Sequence, residues 1–112
     1  MSALAATTPT RAGATSAGAA VALTDTINVS VMGPFGAILE ILNGNASPDV
    51  MSISDASTTL TGAAAAANAP TVTNATNKAF LLSRKQADLA TGNVTVTHSV
   101  TTTVTYKLYP IG

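Results

Sequence analysis

The sequence predicts an all-β domain: an antiparallel β-sandwich of about seven strands, Ig-like or jelly-roll-like, preceded by an extended N-terminal arm. Three observations carry this. The stretch Val94–Leu108 alternates in side-chain character and keeps its phase across Thr101-Thr102-Thr103. Turn signals built from Gly, Pro, Asn and Asp recur every ~10 residues. No segment has the length and 3.6-residue periodicity of a long helix. Composition bounds the core. Ala (22), Thr (19), Ser (9) and Gly (8) make 58 of the 112 residues, and Leu, Ile, Val and Phe supply only 25. That share of ~22% lies just above the range of disordered chains, and the net charge is zero, so a folded domain with a thin core is expected.

The elements follow in order. Met1–Ala20 (MSALAATTPTRAGATSAGAA) has side chains too small to bury much area. Such an arm is disordered alone and is ordered by packing on something, most simply a neighbouring subunit. The domain proper is therefore 21–112. Ile27, Val29 and Val31 alternate with Asn28 and Ser30, a half-buried strand, and Gly33-Pro34 breaks it. Ala37–Leu42 is apolar on both faces and short, which suits a central strand. Asn43-Gly44-Asn45 turns the chain, and Pro48-Asp49 prolongs the loop. Val50–Ser54 is a short strand with Met51 and Ile53 on one face.

Asp55–Pro70 reads as irregular, with room for one or two helical turns in Ala63–Ala67 between Gly62 and Pro70. Thr71–Ala75 and Ala79–Ser83 read as strands separated by Asn77-Lys78. Arg84–Leu89 is a helical turn or loop, and Thr91-Gly92-Asn93 is a turn. From Val94 to Leu108 the even positions are Val94, Val96, His98, Val100, Thr102, Val104, Tyr106 and Leu108. Fifteen residues exceed one ordinary strand, so the chain bends near Ser99–Thr102. Either a hairpin with the odd loop Ser99–Thr101 pairs Val96 with Val104, or an arch sends one strand into each of two sheets.

Few residues are equipped for chemistry. There is one His, no Cys, four Asp and one Glu. A Ser-His-Asp reading would take His98 with Ser99 and Asp88 or Asp55, but adjacent strand residues point to opposite faces. His98 shares parity with Val94, Val96 and Val104, which places it at the rim or edge of the core. Asp25, Asp49, Asp55 and Asp88 lie beside turn residues and are expected to bond nearby backbone N–H groups. Glu40, inside an apolar strand, is expected at a sheet edge or paired with a Lys or Arg across a subunit contact. No cofactor or metal motif is present, and thiolate sites are excluded. The N-x-S/T triplets at Asn28, Asn45, Asn74 and Asn93 are expected by chance in such a composition. The Thr-x-Thr pairs lack the fixed repeat that a flat ice-binding face requires.

Only 9% of residues are charged, against ~25% in ordinary domains. A surface of Thr, Asn and Ser is desolvated against a partner without stripping water from ions, which points to assembly. Zero net charge and the scattered bases Arg11, Lys78, Arg84, Lys85 and Lys107 argue against nucleic acid. No apolar run approaches the ~20 residues of a membrane-spanning helix, and the N-terminus makes a poor signal peptide.

Several stretches between Thr24 and Leu108 share a family pattern: Ser47-Pro48-Asp49-Val50, Ile53-Ser54-Asp55, Pro70-Thr71-Val72, Ala79-Phe80-Leu81, the run Ala90–Ser99 and Thr102–Tyr106. Together they resemble the small decoration (minor capsid) proteins of tailed phages infecting actinobacteria. The chain departs from the usual pattern after Asp55, where Ala56-Ser57-Thr58 replaces a Gly-containing turn. The resemblance implies a non-enzymatic β-sandwich without cofactors, bound to the outer surface of the phage head in the virion assembled in the host cytoplasm. It implies the major capsid protein as partner, frequently with self-association as a homotrimer. On that reading the contact residues are Thr8, Pro9 and Arg11 of the arm and Glu40 and Tyr109 of the domain. The rival expectation is a carbohydrate-binding or adhesion module of a tail or cell surface, with Tyr109 and Phe35 as the aromatics left for a sugar ring.

Overall fold

Strict alternation sorts side chains into two environments, and the fold uses both faces of each strand accordingly. A computed structural model describes residues 2–15, 18–58, 60–63 and 66–112. Among these, ten strands form: β1 (Ser2–Ala3), β2 (Ala19–Ala20), β3 (Thr24–Asn28), β4 (Ala37–Asn43), β5 (Asp49–Val50), β6 (Ser52–Ile53), β7 (Thr71–Val72), β8 (Thr76–Leu82), β9 (Asn93–Thr97) and β10 (Val104–Pro110). One sheet has the order β1-β3-β9-β6 and a second β2-β10-β4-β8, with β5-β7 as a separate ribbon. All strand pairs are antiparallel except β1–β3, which is parallel. The fold is the expected all-β sandwich, 22 Å through its thinnest axis.

The core lies between the two sheets. Ile27, Ile53, Val94 and Val96 come from the first sheet, and Ala37, Leu39, Ile41, Leu82, Val104, Tyr106 and Leu108 from the second. Each large aliphatic chain fully withdrawn from water contributes about 1.5–3 kcal/mol. The outward positions of the first sheet are Thr24, Thr26, Asn28, Ser52, Asn93, Thr95 and Thr97, small polar residues in register with one another. Thr is β-branched and covers such a face well.

The bend after Val94–Thr97 is an arch: β9 pairs with β3 and β6, whereas β10 pairs with β4 and β2. The alternation stays in phase because both inner faces look into one core. Thr103, with φ of 57°, makes the turn, and its carbonyl accepts the Gly44 N–H.

The arm is tied to the chain's own two sheets, where a neighbouring subunit was the simplest expectation. Ser2 and Ala3 pair with Asp25 and Thr26, and Ala19 and Ala20 with Tyr106 and Thr105. Leu4 is buried, its N–H donates to the Thr26 carbonyl, and the Ala5 N–H donates to the Tyr106 hydroxyl. Even a small-residue arm supplies one core side chain and a strand for each sheet edge.

Other elements shift from the expected positions. Val29–Val31 is a 3-10 turn, because the Asn28 side chain caps it by accepting the Ser30 N–H. Asn77 and Lys78 lie within β8, and the preceding break is a turn at Ala75 (φ 62°). Met51 and Ile53 are both buried as expected, although Val50 and Ile53 belong to different sheets. Arg84–Gln86 is a 3-10 turn closed by a Ser83/Gln86 capping box. The helical reading of Ala63–Ala67 falls partly on residues 64 and 65, outside the described residues.

Candidate functional site

Three titratable side chains meet inside the sandwich. Parity turns Asp25 (β3) and His98 (just past β9) inward, and Asp49 enters from the start of β5. His98 Nδ1 lies 2.6 Å from Asp49 Oδ2, and the other Asp49 oxygen accepts the Ser99 N–H at 3.0 Å. A carboxylate only accepts, so Nδ1 carries the hydrogen. Nε2 faces Asp25 Oδ2 at 3.7 Å and has no hydrogen-bond partner among the described residues. Asp25 in turn accepts the Ala22 N–H. All three side chains have 0% exposure.

This cluster ties β3, β5 and the end of β9 together, and its burial closes it to a substrate. Ser99 Oγ accepts the Val50 N–H and so belongs to the β5 junction. Asp55 and Asp88 accept the N–H groups of Ser57 and Ala90, as expected of turn aspartates. The Ser-His-Asp combinations built on Asp55 or Asp88 are not assembled. Sequence reasoning placed His98 on the correct face and missed its carboxylate partners, which lie 49 and 73 residues away in the chain.

Burial pushes the Asp25 carboxyl above its ordinary value of 3.8, against the opposing pull of the Ala22 N–H and the charge of His98. The folded chain therefore holds this proton over a window above 3.8 in which the unfolded chain has lost it. The stabilisation is complete below that value and is lost as pH rises through the raised one. Asp25→Asn keeps an acceptor for Ala22 and removes the carboxylate charge that burial penalises. We expect Asp25→Asn to be more stable than the parent by about 1 kcal/mol at neutral pH, with the advantage shrinking toward acid. Urea unfolding across a pH series checks it; a variant less stable than the parent at neutral pH would contradict the assignment.

The second candidate is the outward face of the second sheet. Register places Tyr109, Ile38 and Leu81 in one row across β10, β4 and β8, with Lys107, Glu40 and Ala79 in the next. Leu81 is 73% exposed and Ile38 39%, and Phe35 (77%) stands on the tight turn before β4, beside the end of β10. Ala37–Leu42, apolar on both faces, forms the central strand expected of it, and its inner face is the covered one.

Glu40 is not at a sheet edge. It lies in this interior strand, opposite Lys107, and accepts a hydrogen bond from Asn77 Nδ2 at 2.8 Å. Tyr109 shares its face and is half-buried. Thr8, Pro9 and Arg11 are exposed in the loop between β1 and β2, which leaves β10 at Thr7, whose N–H donates to the Leu108 carbonyl. Ile38 and Leu81 were not expected as contact residues. The outward parity of Ile38, Glu40 and Leu42 was the available signal.

A groove of about 360 Å³ opens on the first sheet, lined by Thr26, Ser54, Asp55, Asp88, Asn93 and Thr95 among others, with no aromatic side chain. Phe35 and Tyr109 belong to the opposite sheet, so the aromatics expected for a sugar ring do not line this groove. Among the described residues no group of three or more His, Asp or Glu side chains is arranged to hold a metal ion. No helix among them is long and apolar enough to cross a membrane. Comparison with protein-family models, with curated proteins and with solved structures finds no match to this chain.

Proposed function

We propose that the chain is a non-enzymatic structural protein of a virion. It is a decoration protein that binds the outer surface of a phage head and stabilises the shell by bridging subunits of the major capsid protein. The observation that carries this reading is the outward row of half-buried Tyr109 with exposed Ile38 and Leu81, and exposed Phe35 beside it, on a chain with few charges to desolvate. Exposed apolar residues gathered on one sheet face mark a protein contact. A ligand that spans two shell subunits binds the assembled shell and not the separated subunits, and so stabilises it by linkage.

Co-sedimentation with heads assembled without this protein tests the proposal. Deleting Met1–Ala20 is a poor probe, because it would remove Leu4 from the core and uncover both sheet edges. Point substitutions on the face are clean. Saturable binding is expected, with Tyr109→Ala and Ile38→Asp each weakening it about tenfold or more. Absence of binding at saturating protein, or undiminished affinity in both variants, would reject it.

A further inference from the structure

We propose that β8 is a self-docking edge through which two copies of this chain join. The strands would pair antiparallel with the two-fold axis beside Leu81, so that the second sheet runs from one protomer into the other. The proposal does not rest on the capsid reading.

The sandwich has four sheet edges, and three are closed. The arm's two-residue strands β1 and β2 cover β3 and β10. The edge strand β6 is also two residues long, and Ile53 exchanges both backbone hydrogen bonds with Asn68. Short or covered edges are how folded chains avoid unwanted pairing. β8 is the exception. It is seven residues long and pairs with β4 on one side. Among the described residues no backbone hydrogen bond joins 77–82 to any segment other than β4.

Only half of that edge is guarded. Lys78 Nζ donates to the Thr71 carbonyl at 2.9 Å, which holds a charge at the N-terminal half of β8. Edge lysines of this kind oppose strand addition. Beyond it, Ala79–Leu82 has no charge and no proline, and the free edge ends at Ser83, whose N–H and carbonyl are both bonded to Gln86.

This neutral half-edge is self-complementary in one register. With the axis at Leu81, Leu81 faces its own copy and Phe80 faces Leu82, and the pairing ends there because Gln86 already holds the Ser83 N–H and carbonyl. No charge stands opposite any of them, and parity keeps outward residues beside outward residues. The exposed row then runs unbroken as Tyr109, Ile38, Leu81 and the same three in reverse order. Centring the pair on Ala79 instead would set Lys78 against Phe80 and Asn77 against Leu81, which strands the charge beside a half-buried ring. A C2 contact of one patch with itself is the commonest way for a chain to associate.

The test uses the purified full chain without any shell. Sedimentation equilibrium up to about 1 mM, the weak limit of specific association, should show a two-chain mass. Leu81→Lys, at an exposed position, should weaken dimerisation about 100-fold by placing like charges across the axis, while Leu89→Lys, at a fully exposed site elsewhere, leaves it unchanged. The chain has no cysteine, so single substitutions report register directly. Leu81→Cys should form an intermolecular disulfide on oxidation and Asn77→Cys should not. A monomer throughout, a three-chain mass, equal association of Leu81→Lys and the parent, or cross-linking through position 77 in place of 81 would overturn the proposal. Head binding by a chain that stays monomeric would leave the capsid reading standing while this one fails.

Discussion

Replacing Asp49 by Ala should lower the stability of the folded chain by about 3–5 kcal/mol, because it removes both hydrogen bonds made to a fully buried carboxyl group. Asp49 is fully buried and has two partners, His98 Nδ1 at 2.6 Å and the Ser99 N–H at 3.0 Å. Truncation leaves the buried His98 Nδ1 donor without an acceptor, which costs its full desolvation penalty, and strips the Ser99 N–H of its partner as well. Against a total of about 5–15 kcal/mol for an ordinary domain, this removes a large fraction of the margin. The effect is local to one junction: Asp49 holds the start of β5 against the segment leading from β9 into the arch. Asp49→Asn should cost less, because its carbonyl keeps one of the two donors, but its amide then confronts the other. Urea unfolding of the three proteins at neutral pH ranks them. A loss under about 1 kcal/mol for Asp49→Ala would mean that the cluster is solvated, contrary to its burial.

Gly36→Ala should be of similar size, about 3–5 kcal/mol, for a different reason. A Cβ on Gly36 would stand 2.0 Å from the Leu82 carbonyl oxygen, and its φ of 105° is one that L-residues rarely adopt. Overpacking against backbone costs about 1–3 kcal/mol, and an unfavourable φ adds a further 1–3. Neither neighbour can yield easily. Gly33 and Gly36 bond to each other in a tight turn, Gly36 accepts the Ile111 N–H, and Phe35 donates to the Ile111 carbonyl. The turn is thus wedged between the ends of β8 and β10, and the same clash recurs at Gly33, where a Cβ would meet Ile111 oxygen at 2.1 Å. Gly62→Ala is the control. It has a φ of 86° but nothing within 4 Å, so only the backbone term applies, about 1 kcal/mol. Equal denaturation midpoints for the two variants would show that the turn relaxes freely. Because Phe35 is displayed on this turn, Gly36→Ala should also disturb the exposed face.

Face assignment was legible from the amino acids alone. Val94, Val96, His98, Val104, Tyr106 and Leu108 point inward and the threonines between them outward, because successive strand residues alternate by geometry, whatever they pair with. Turn chemistry was legible for the same reason: Asn43, Asp55 and Asp88 bond backbone groups two residues away, within reach of their own short side chains. The same short-range chemistry was misjudged at Val29–Val31, where alternation suggested a strand and the Asn28 cap made a turn.

Pairing is a different matter, since it joins residues far apart in the chain. Two ribbons in phase suit a hairpin and an arch equally; only the presence of β4 beside β10 and of β3 beside β9 selects the arch. Glu40 looked like an edge residue until β8 and β10 flanked its strand. The small-residue arm looked unable to hold itself, and its ends found the two edges that needed strands. Asp25, Asp49 and His98 are spread over 74 positions of the chain, and nothing near any of them announces the other two. Local steric rules therefore dictate which way each side chain of this protein points. Which strands become neighbours, which edge stays open and which charges meet in the interior depend on how two sheets close over one core, a cooperative outcome that no short window contains.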